Sequence, residues 1–178
     1  MNILLGITGG ISAYKACDLI LGLQKTGHDV RVIMTDNAKE FITPLTIATL
    51  SKHPVINDMW VERSDVEHIE VGKWAEAFIV YPATANIIAK FANGIADDTL
   101  STVYLALPKN VRKIIYPAMN TNMLNHQATQ ANIVLLIRRD NVWVSDTRET
   151  ILACGDKGFG GLLKPREAVE LFNKKVMR

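Results

Sequence analysis

Short unbroken apolar runs alternate along the chain with stretches whose apolar residues recur every third or fourth position. An unbroken run of strand length reads as a strand buried on both faces, and the three-to-four spacing reads as a helix that covers it. The run opening at Ile3 gives the first strand. DVRVIMT (Asp29 to Thr35), AEAFIVYPAT (Ala75 to Thr84), VRKIIYPAM (Val111 to Met119) and NVWVSD (Asn141 to Asp146) give the others. Helical spacing fills the gaps. It runs from about Ser12 to Lys25, with Ala16, Leu19, Ile20 and Leu23 on one face and Gly27 as the stop. AKEFI, PLTIATLS, NIIAKFANGIADD (broken at Gly94) and TLSTVYLAL (Thr99 to Leu107) follow as helices. A long helix is expected from about Thr121 to Arg138, and Pro165 opens a terminal one. Strands alternating with helices predict an α/β fold, a central parallel sheet with helices on both faces. No repeat or linker interrupts the series, so one domain over 1–178 is expected.

Two stretches break the rhythm. HPVINDMWVERSDVEH reads as a loop excursion closed by His68, after which Ile69-Glu70-Val71 alternates. Thr147 to Lys164 reads as a glycine-rich loop, with Gly155, Gly158, Gly160 and Gly161 close behind Cys154. Excursions of this length in compact domains often carry function.

The junction between first strand and first helix, ILLGITGGISAYKA, holds Gly6, Gly9 and Gly10. Glycine lets the backbone come close to a ligand, and a helix start behind it offers unpaired N–H groups and a positive dipole end, which suits phosphate. The spacing is G-x-x-G-G and not G-x-G-x-x-G, with Ala13 where a third glycine would fall, so a mononucleotide fits better than a dinucleotide. An ordinary strand-to-helix turn explains the same glycines without a ligand. Asp36, at the end of the second strand, could hold a ribose, but capping the next helix accounts for it.

Composition narrows the partners. With 48% hydrophobic and 21% charged residues and a formal net charge of +2, the 178 residues suit a globular fold, and dispersed charge points to neither nucleic acid nor an anionic membrane. No apolar run approaches the ~20 residues of a membrane span, and no charged segment precedes an apolar one at the N-terminus, so a cytoplasmic address is the default expectation. Cys17 and Cys154 are too few for a disulfide framework and are not spaced as metal ligands; no metal is expected. Cys17 reads as a packed helix residue.

Three residues could do chemistry. His68 follows a long loop and could serve as a general acid-base, or be a satisfied surface histidine. Asn120 sits between a strand and a helix, where it could cap the helix or grip a carboxylate. Cys154 lies on a glycine-rich segment that could close over a ligand and deliver a thiol. The "strand, Tyr-Pro-Ala" pattern at Tyr81 and again at Tyr116 suggests two carboxyl-end loops facing one crevice.

Six motifs in order, TGGISAYK, MT-x-x-A-x-x-F (Met34 to Phe41), EHIEV around His68, PATANIIAKFANGIADDTLS (Pro82 to Ser101), PAMNTNM (Pro117 to Met123) and ACGDKGFG (Ala153 to Gly160), cover nearly the whole chain. Together they resemble the flavin-dependent cysteine decarboxylases. The resemblance implies a Rossmann-like (flavodoxin-like) three-layer fold that binds FMN. Gly9, Gly10 and Ile11 would lie along the phosphate and ribityl chain, with Thr35 and Phe41, then Thr84, Ala85 and Asn86, and Ala118 around the flavin. His68 matches the family's active-site histidine, Asn120 the asparagine that holds the substrate carboxylate, and Cys154 the cysteine of a substrate-covering flap at about 147–164. Met123 and Ala153 would join Asn120 at the substrate.

The resemblance further implies decarboxylation of N-phosphopantothenoylcysteine to phosphopantetheine in coenzyme A biosynthesis, through a thioaldehyde and an enethiolate that is then reduced again. Two other activities stay open: decarboxylation of a C-terminal peptide cysteine in lantibiotic maturation, ending at the enethiol, and a non-catalytic flavin-binding regulatory subunit. The family assembles as homotrimers, sometimes as dodecamers. In many bacteria the decarboxylase is fused to the synthetase that makes its substrate, whereas this chain is expected to act alone. Two departures stand out. The family flap commonly continues G-x-G-Arg, whereas Gly160 is followed by Gly161, so a basic contact is either lost or taken up by Lys157 or Lys164. Leu124 stands where a tryptophan is common.

Overall fold

The computed structural model describes residues 1–56, 67–151, 153, 155 and 157–176, and the side chains of these except Glu67 and His68. Five parallel strands form the central sheet: β1 (Asn2–Ile7), β2 (Asp29–Met34), β3 (Ala77–Ala83), β4 (Arg112–Pro117) and β5 (Val142–Val144), in the order β2-β1-β3-β4-β5. That order is flavodoxin-like, and it reverses between β1 and β3. The residues of β3 are buried throughout, as a central strand covered on both sides requires. Their side chains alternate between two cores. Ala77, Ile79 and Tyr81 join Ile3, Leu5 and Ile7 on one face, while Phe78, Val80 and Ala83 join Leu4 and Ile115 on the other.

Helices supply the outer layers. On the first face, α1 (Ala16–Lys25) contributes Ala16, Leu19, Ile20 and Leu23, and α9 (Pro165–Val176) contributes Ala168, Val169, Phe172 and Val176. On the second lie α4 (Glu67–Trp74), α5 (Ala85–Asn93), α6 (Thr99–Ala106) and α8 (Gln127–Ile137). Phe91 of α5 stacks on Tyr104 of α6 with ring centroids 3.9 Å apart. The short helices α2 (Asp36–Lys39), α3 (Pro44–Ser51) and α7 (Thr121–Asn125) follow β2, α2 and β4.

The sheet and most helices fall where hydrophobic spacing puts them, and three elements do not. The stretch after His68 is helical, α4, with Val71, Trp74 and the following Ala75 packed on the core at helical spacing. The long helix of 121–138 is two helices: His126 has extended backbone (φ −62°, ψ 134°) and caps α8 with its ring. The glycine-rich segment is a hairpin, with β6 (Arg148–Ile151) antiparallel to β7 (Lys157–Gly161). Helix α1 is also preceded by a 3-10 turn over Ile11–Lys15 in place of its expected first turn.

Tyr81 and Tyr116 root the hairpin. Both are fully buried with their rings edge-on at 5.5 Å, and their hydroxyls donate to Leu163 O (2.7 Å) and Ala168 O (2.8 Å). Burial pushes both phenols far above the ordinary range. The tyrosines thus serve the chain behind the hairpin, and the loops that follow them form the crevice.

Thr8 ties the two strands at the reversal. Its hydroxyl donates to Pro82 O at 2.8 Å and accepts from Thr84 N at 3.1 Å, and it is 2% exposed. The isosteric change Thr8→Val strands a buried N–H and a buried carbonyl, so urea unfolding is expected to show a loss of about 1–3 kcal/mol, and Thr8→Ser much less.

Candidate active site

Two cavities open at the carboxyl ends of the strands and meet at Gly9 and Thr84. The first, about 460 Å³, is lined by Gly9 to Ser12, by Thr84 and Ala85, by Ala118 to Asn120 with Met123, and by the hairpin from Arg148 to Leu162. The second, about 320 Å³, is lined by Thr8, Gly9, Thr35, Asp36, Asn37, Thr84, Asn86, Ile87, Lys90 and Asp98. Both lie at the point between β1 and β3 where open α/β sheets bind ligands.

Helix starts surround this point. Gly10 is the N-cap of the 3-10 turn with an extended backbone, and a Cβ there would meet nothing within 4 Å. At Gly9 a Cβ would sit 2.5 Å from Asn37 Cβ and 2.9 Å from Asn37 backbone, so glycine is what lets the first turn touch the second. Thr35 stands at the N-cap position of α2 with no side-chain cap bond, and Thr84 caps α5 by accepting from Ile87 N. Their first-turn N–H groups give the second cavity hydrogen-bond donors.

Beneath it lies an ion cluster. Lys90 Nζ sits 2.6 Å from both Asp97 Oδ1 and Asp98 Oδ2, and Asp98 also accepts from Ser101 N in the capping box of α6. Burial pulls the Lys90 ammonium down, but its bonds to Asp97 and Asp98 outweigh it and hold the pKa above its ordinary value. For Asp98 burial pushes upward, and Lys90 and Ser101 outweigh it to leave the carboxyl below its usual range.

The roof of the first cavity is the hairpin, and it is fastened to the Asn120 loop. Thr121 Oγ1 donates to Phe159 O (2.6 Å), and Met119 N donates to Gly160 O (3.0 Å). Gly160 has φ +121°, and a Cβ there would run into Met119 O; at Gly158 it would lie 2.5 Å from Thr121 Oγ1. The two glycines are therefore needed for the close approach of β7 to this loop.

The sequence-selected residues mostly converge. Gly9, Gly10, Ile11, Thr84, Ala85, Ala118, Asn120, Met123 and Ala153 line the first cavity, and Thr35 and Asn86 the second. Phe41 is 45% exposed, just past α2, and lines neither. Asn120 is indeed an N-cap, its Oδ1 accepting from Asn122 N (2.7 Å) and Met123 N (3.4 Å), and it faces the cavity as well. The two readings of this asparagine are compatible. Backbone of His68 lies in the first turn of α4, and its side chain is outside the described residues, as is Cys154 altogether. Sequence reasoning missed Thr8, Lys90, Asp98 and Arg148. The first three stand inside motifs quoted for other residues, and Arg148 had no signal before its strand partner was known.

A family model described as flavoprotein matches residues 1–177. The chain belongs to the flavoprotein family. Curated relatives include the coenzyme A biosynthesis bifunctional protein CoaBC of Bacillus subtilis, 45% identical over 175 residues, which are 97% of this chain and 42% of that protein. The probable phosphopantothenoylcysteine decarboxylase of Streptococcus mutans is 44% identical over 163 residues, 90% of each chain. This chain thus spans less than half of the bifunctional relative and most of the single-function one. Among solved structures, a mutant PPC decarboxylase complexed with pantothenoylaminoethenethiol matches with TM-score 0.84 at 26% identity, over 97% of this chain and 98% of that one. The FMN-dependent cysteine decarboxylase SpaF matches at 0.84 and 28%, over 100% and 98%.

The flavoprotein's cavities fit a flavin mononucleotide. Ile11, Ala85, Ala118 and Met119 give the first an apolar wall for a flat ring, and the hydroxyls, amides and helix starts of the second suit a phosphate.

The ion cluster gives a pH prediction. A carboxyl depressed in the fold stabilises above its ordinary value of 3.8, and that contribution is lost as pH falls through the lower folded value. Asp98→Asn is expected to cost about 1–3 kcal/mol at pH 7, and the gap to the parent protein should narrow in denaturation curves below pH 3.8.

Proposed function

We propose that this chain is an FMN-dependent decarboxylase of N-phosphopantothenoylcysteine, forming phosphopantetheine for coenzyme A biosynthesis. One observation carries the reading furthest: the β6–β7 hairpin, whose strands flank Cys154 in the sequence, is hydrogen-bonded to the very loop that presents Asn120 to the cavity. The carboxylate grip is assigned to Asn120 and the proton-donating thiol to Cys154. The 44% identity to the decarboxylase of Streptococcus mutans supports the substrate.

The phosphate of FMN is assigned to Thr35, Asn37, Thr84 and Asn86, and the ring to the wall of Gly10, Ile11, Ala85 and Ala118. When bound, flavin supplies a reversible two-electron oxidant. The chain's residues do the rest. Asn120 holds the substrate carboxylate and so fixes the adjacent CH₂–SH. His68 takes the proton released as that group becomes a thioaldehyde. The C=S bond, β to the carboxylate, accepts the electron pair left by departing carbon dioxide, giving an enethiolate. Cys154 returns a proton to it, and the two electrons borrowed at the start complete the saturated product. Hairpin closure keeps water from the reactive intermediates.

Cys154 separates this reading from a peptide-cysteine decarboxylase, which stops at the enethiol and needs no returning proton. We infer further that the chain acts as a cytoplasmic single-domain homo-oligomer, a trimer or a dodecamer. The exposed apolar side chains Ile11 and Tyr14, which line the first cavity, support a second copy closing the site.

Purified protein is expected to be yellow and, with N-phosphopantothenoylcysteine under anaerobic conditions, to release carbon dioxide and a saturated product by mass. An unsaturated product from the unmutated protein would favour the peptide reading. Cys154→Ser should still release carbon dioxide but accumulate the enethiol with bleached flavin. His68→Asn should keep its flavin colour and lose at least ~10²-fold in turnover, and an unaffected rate would sink the enzymatic reading.

A further inference from the structure

Among the described residues lining the first cavity the charged ones are Lys15 and Arg148, both basic. Arg148 stands directly opposite Gly161 in the β6–β7 register, and both line the cavity. A Cβ at Gly161 would lie 2.4 Å from Thr150 Cγ2 and 3.0 Å from Arg148 O, so the strand opposite Arg148 is stripped to backbone. Lys157 and Lys164, the substitutes suggested by sequence, do not line this cavity. Lys157 is 73% exposed and faces Glu149 at 3.8 Å, while Lys164 is held by its backbone N–H on Glu167.

Arg148 is differently placed. Its side chain is 29% exposed, and its ion pair with Glu167 is long, 3.7 Å through Nε. The same Glu167 oxygen already accepts from Lys164 N at 2.8 Å. A guanidinium weakly paired at Nε, in a cavity without an acidic lining residue among those described, is suited to grip an oxyanion with its terminal fork.

We propose that Arg148 is a specificity-determining residue that binds the phosphomonoester of the substrate, taking from β6 the place that a basic residue at position 161 would take from β7. The inference rests on the decarboxylase reading for the identity of the substrate, and Lys15 adds a second positive charge to the same cavity. A phosphomonoester could also come from FMN, so the test has an arm for each.

Calorimetric titration of the flavin-loaded protein in phosphate-free buffer compares phosphopantetheine with pantetheine, which requires no turnover. The unmutated protein should prefer the phosphorylated ligand by about tenfold or more, Arg148→Ala should bring the two to near equality, and Arg148→Lys should fall between. Pantetheine affinity and the flavin spectrum, unchanged in Arg148→Ala, would show that the hairpin still folds. A full preference retained by Arg148→Ala, or absent from the unmutated protein, overturns the proposal. So does a variant that keeps the preference but binds FMN no better than riboflavin, which would give Arg148 to the cofactor. If the preference behaves as expected while no carbon dioxide is released from N-phosphopantothenoylcysteine, the decarboxylase reading fails and the phosphate site stands.

Discussion

The carboxyl ends of β1 and β3 must be held together at the one place where the sheet offers no helix between them. In a parallel sheet the chain leaves adjacent strands toward opposite faces at the reversal point, so the backbone there has lost its ladder partners. Thr8 restores two of them with one hydroxyl, donating to Pro82 O and accepting from Thr84 N. Thr84 in turn caps α5, and Gly9 lets the first turn rest on Asn37. The β1 and β3 sides of both cavities begin from these residues. The crevice is a consequence of satisfying buried backbone groups with short side chains, which leaves open the room that larger ones would fill.

The opposite side of the crevice depends on the core in a less direct way. Tyr81 and Tyr116 end β3 and β4, and their hydroxyls reach across the first core face to the backbone just after the hairpin. A buried phenol needs a partner, and the carbonyls of Leu163 and Ala168 supply it. The hairpin is thereby anchored at its root by the same strands whose loops it covers. Close by, Thr121 and Met119 bind β7 at Phe159 O and Gly160 O.

Much of this was legible from hydrophobic spacing, because a strand covered on both faces admits few polar residues and a surface helix must show its period. β1 to β5 and helices α1, α3, α5, α6 and α9 were readable on that ground. The hairpin was not, because alternation in RETI and KGFGG is carried by small and polar residues whose partner is a distant backbone. Nor was the break at His126, where a ring nitrogen caps α8 by accepting from Ala128 N at 3.2 Å while the apolar spacing runs straight through. At the site, glycines and capping threonines announce themselves by type. Lys90 and Arg148 do not, since a lysine at helical spacing and an arginine before a glutamate read as solvated charge until their neighbours are known.

Those two cations divide the crevice between them. Lys90 is saturated by Asp97 and Asp98, so it leaves no free positive charge and its effect is to hold the start of α6 against α5. What the second cavity offers an anion then comes chiefly from dipoles and neutral donors, a lining that can bind a phosphate without a formal counter-charge. The first cavity is the reverse, with an apolar wall and two basic residues that have no carboxylate among its described lining. A neutral ring with a phosphate tail can lie across both. In the reading proposed above, a second ligand that enters afterwards meets this positive charge with two negative groups of its own, a carboxylate at Asn120 and a phosphomonoester at Arg148. A doubly anionic, elongated molecule satisfies that pairing, and a peptide whose single charge is its terminal carboxylate leaves the arginine unmatched.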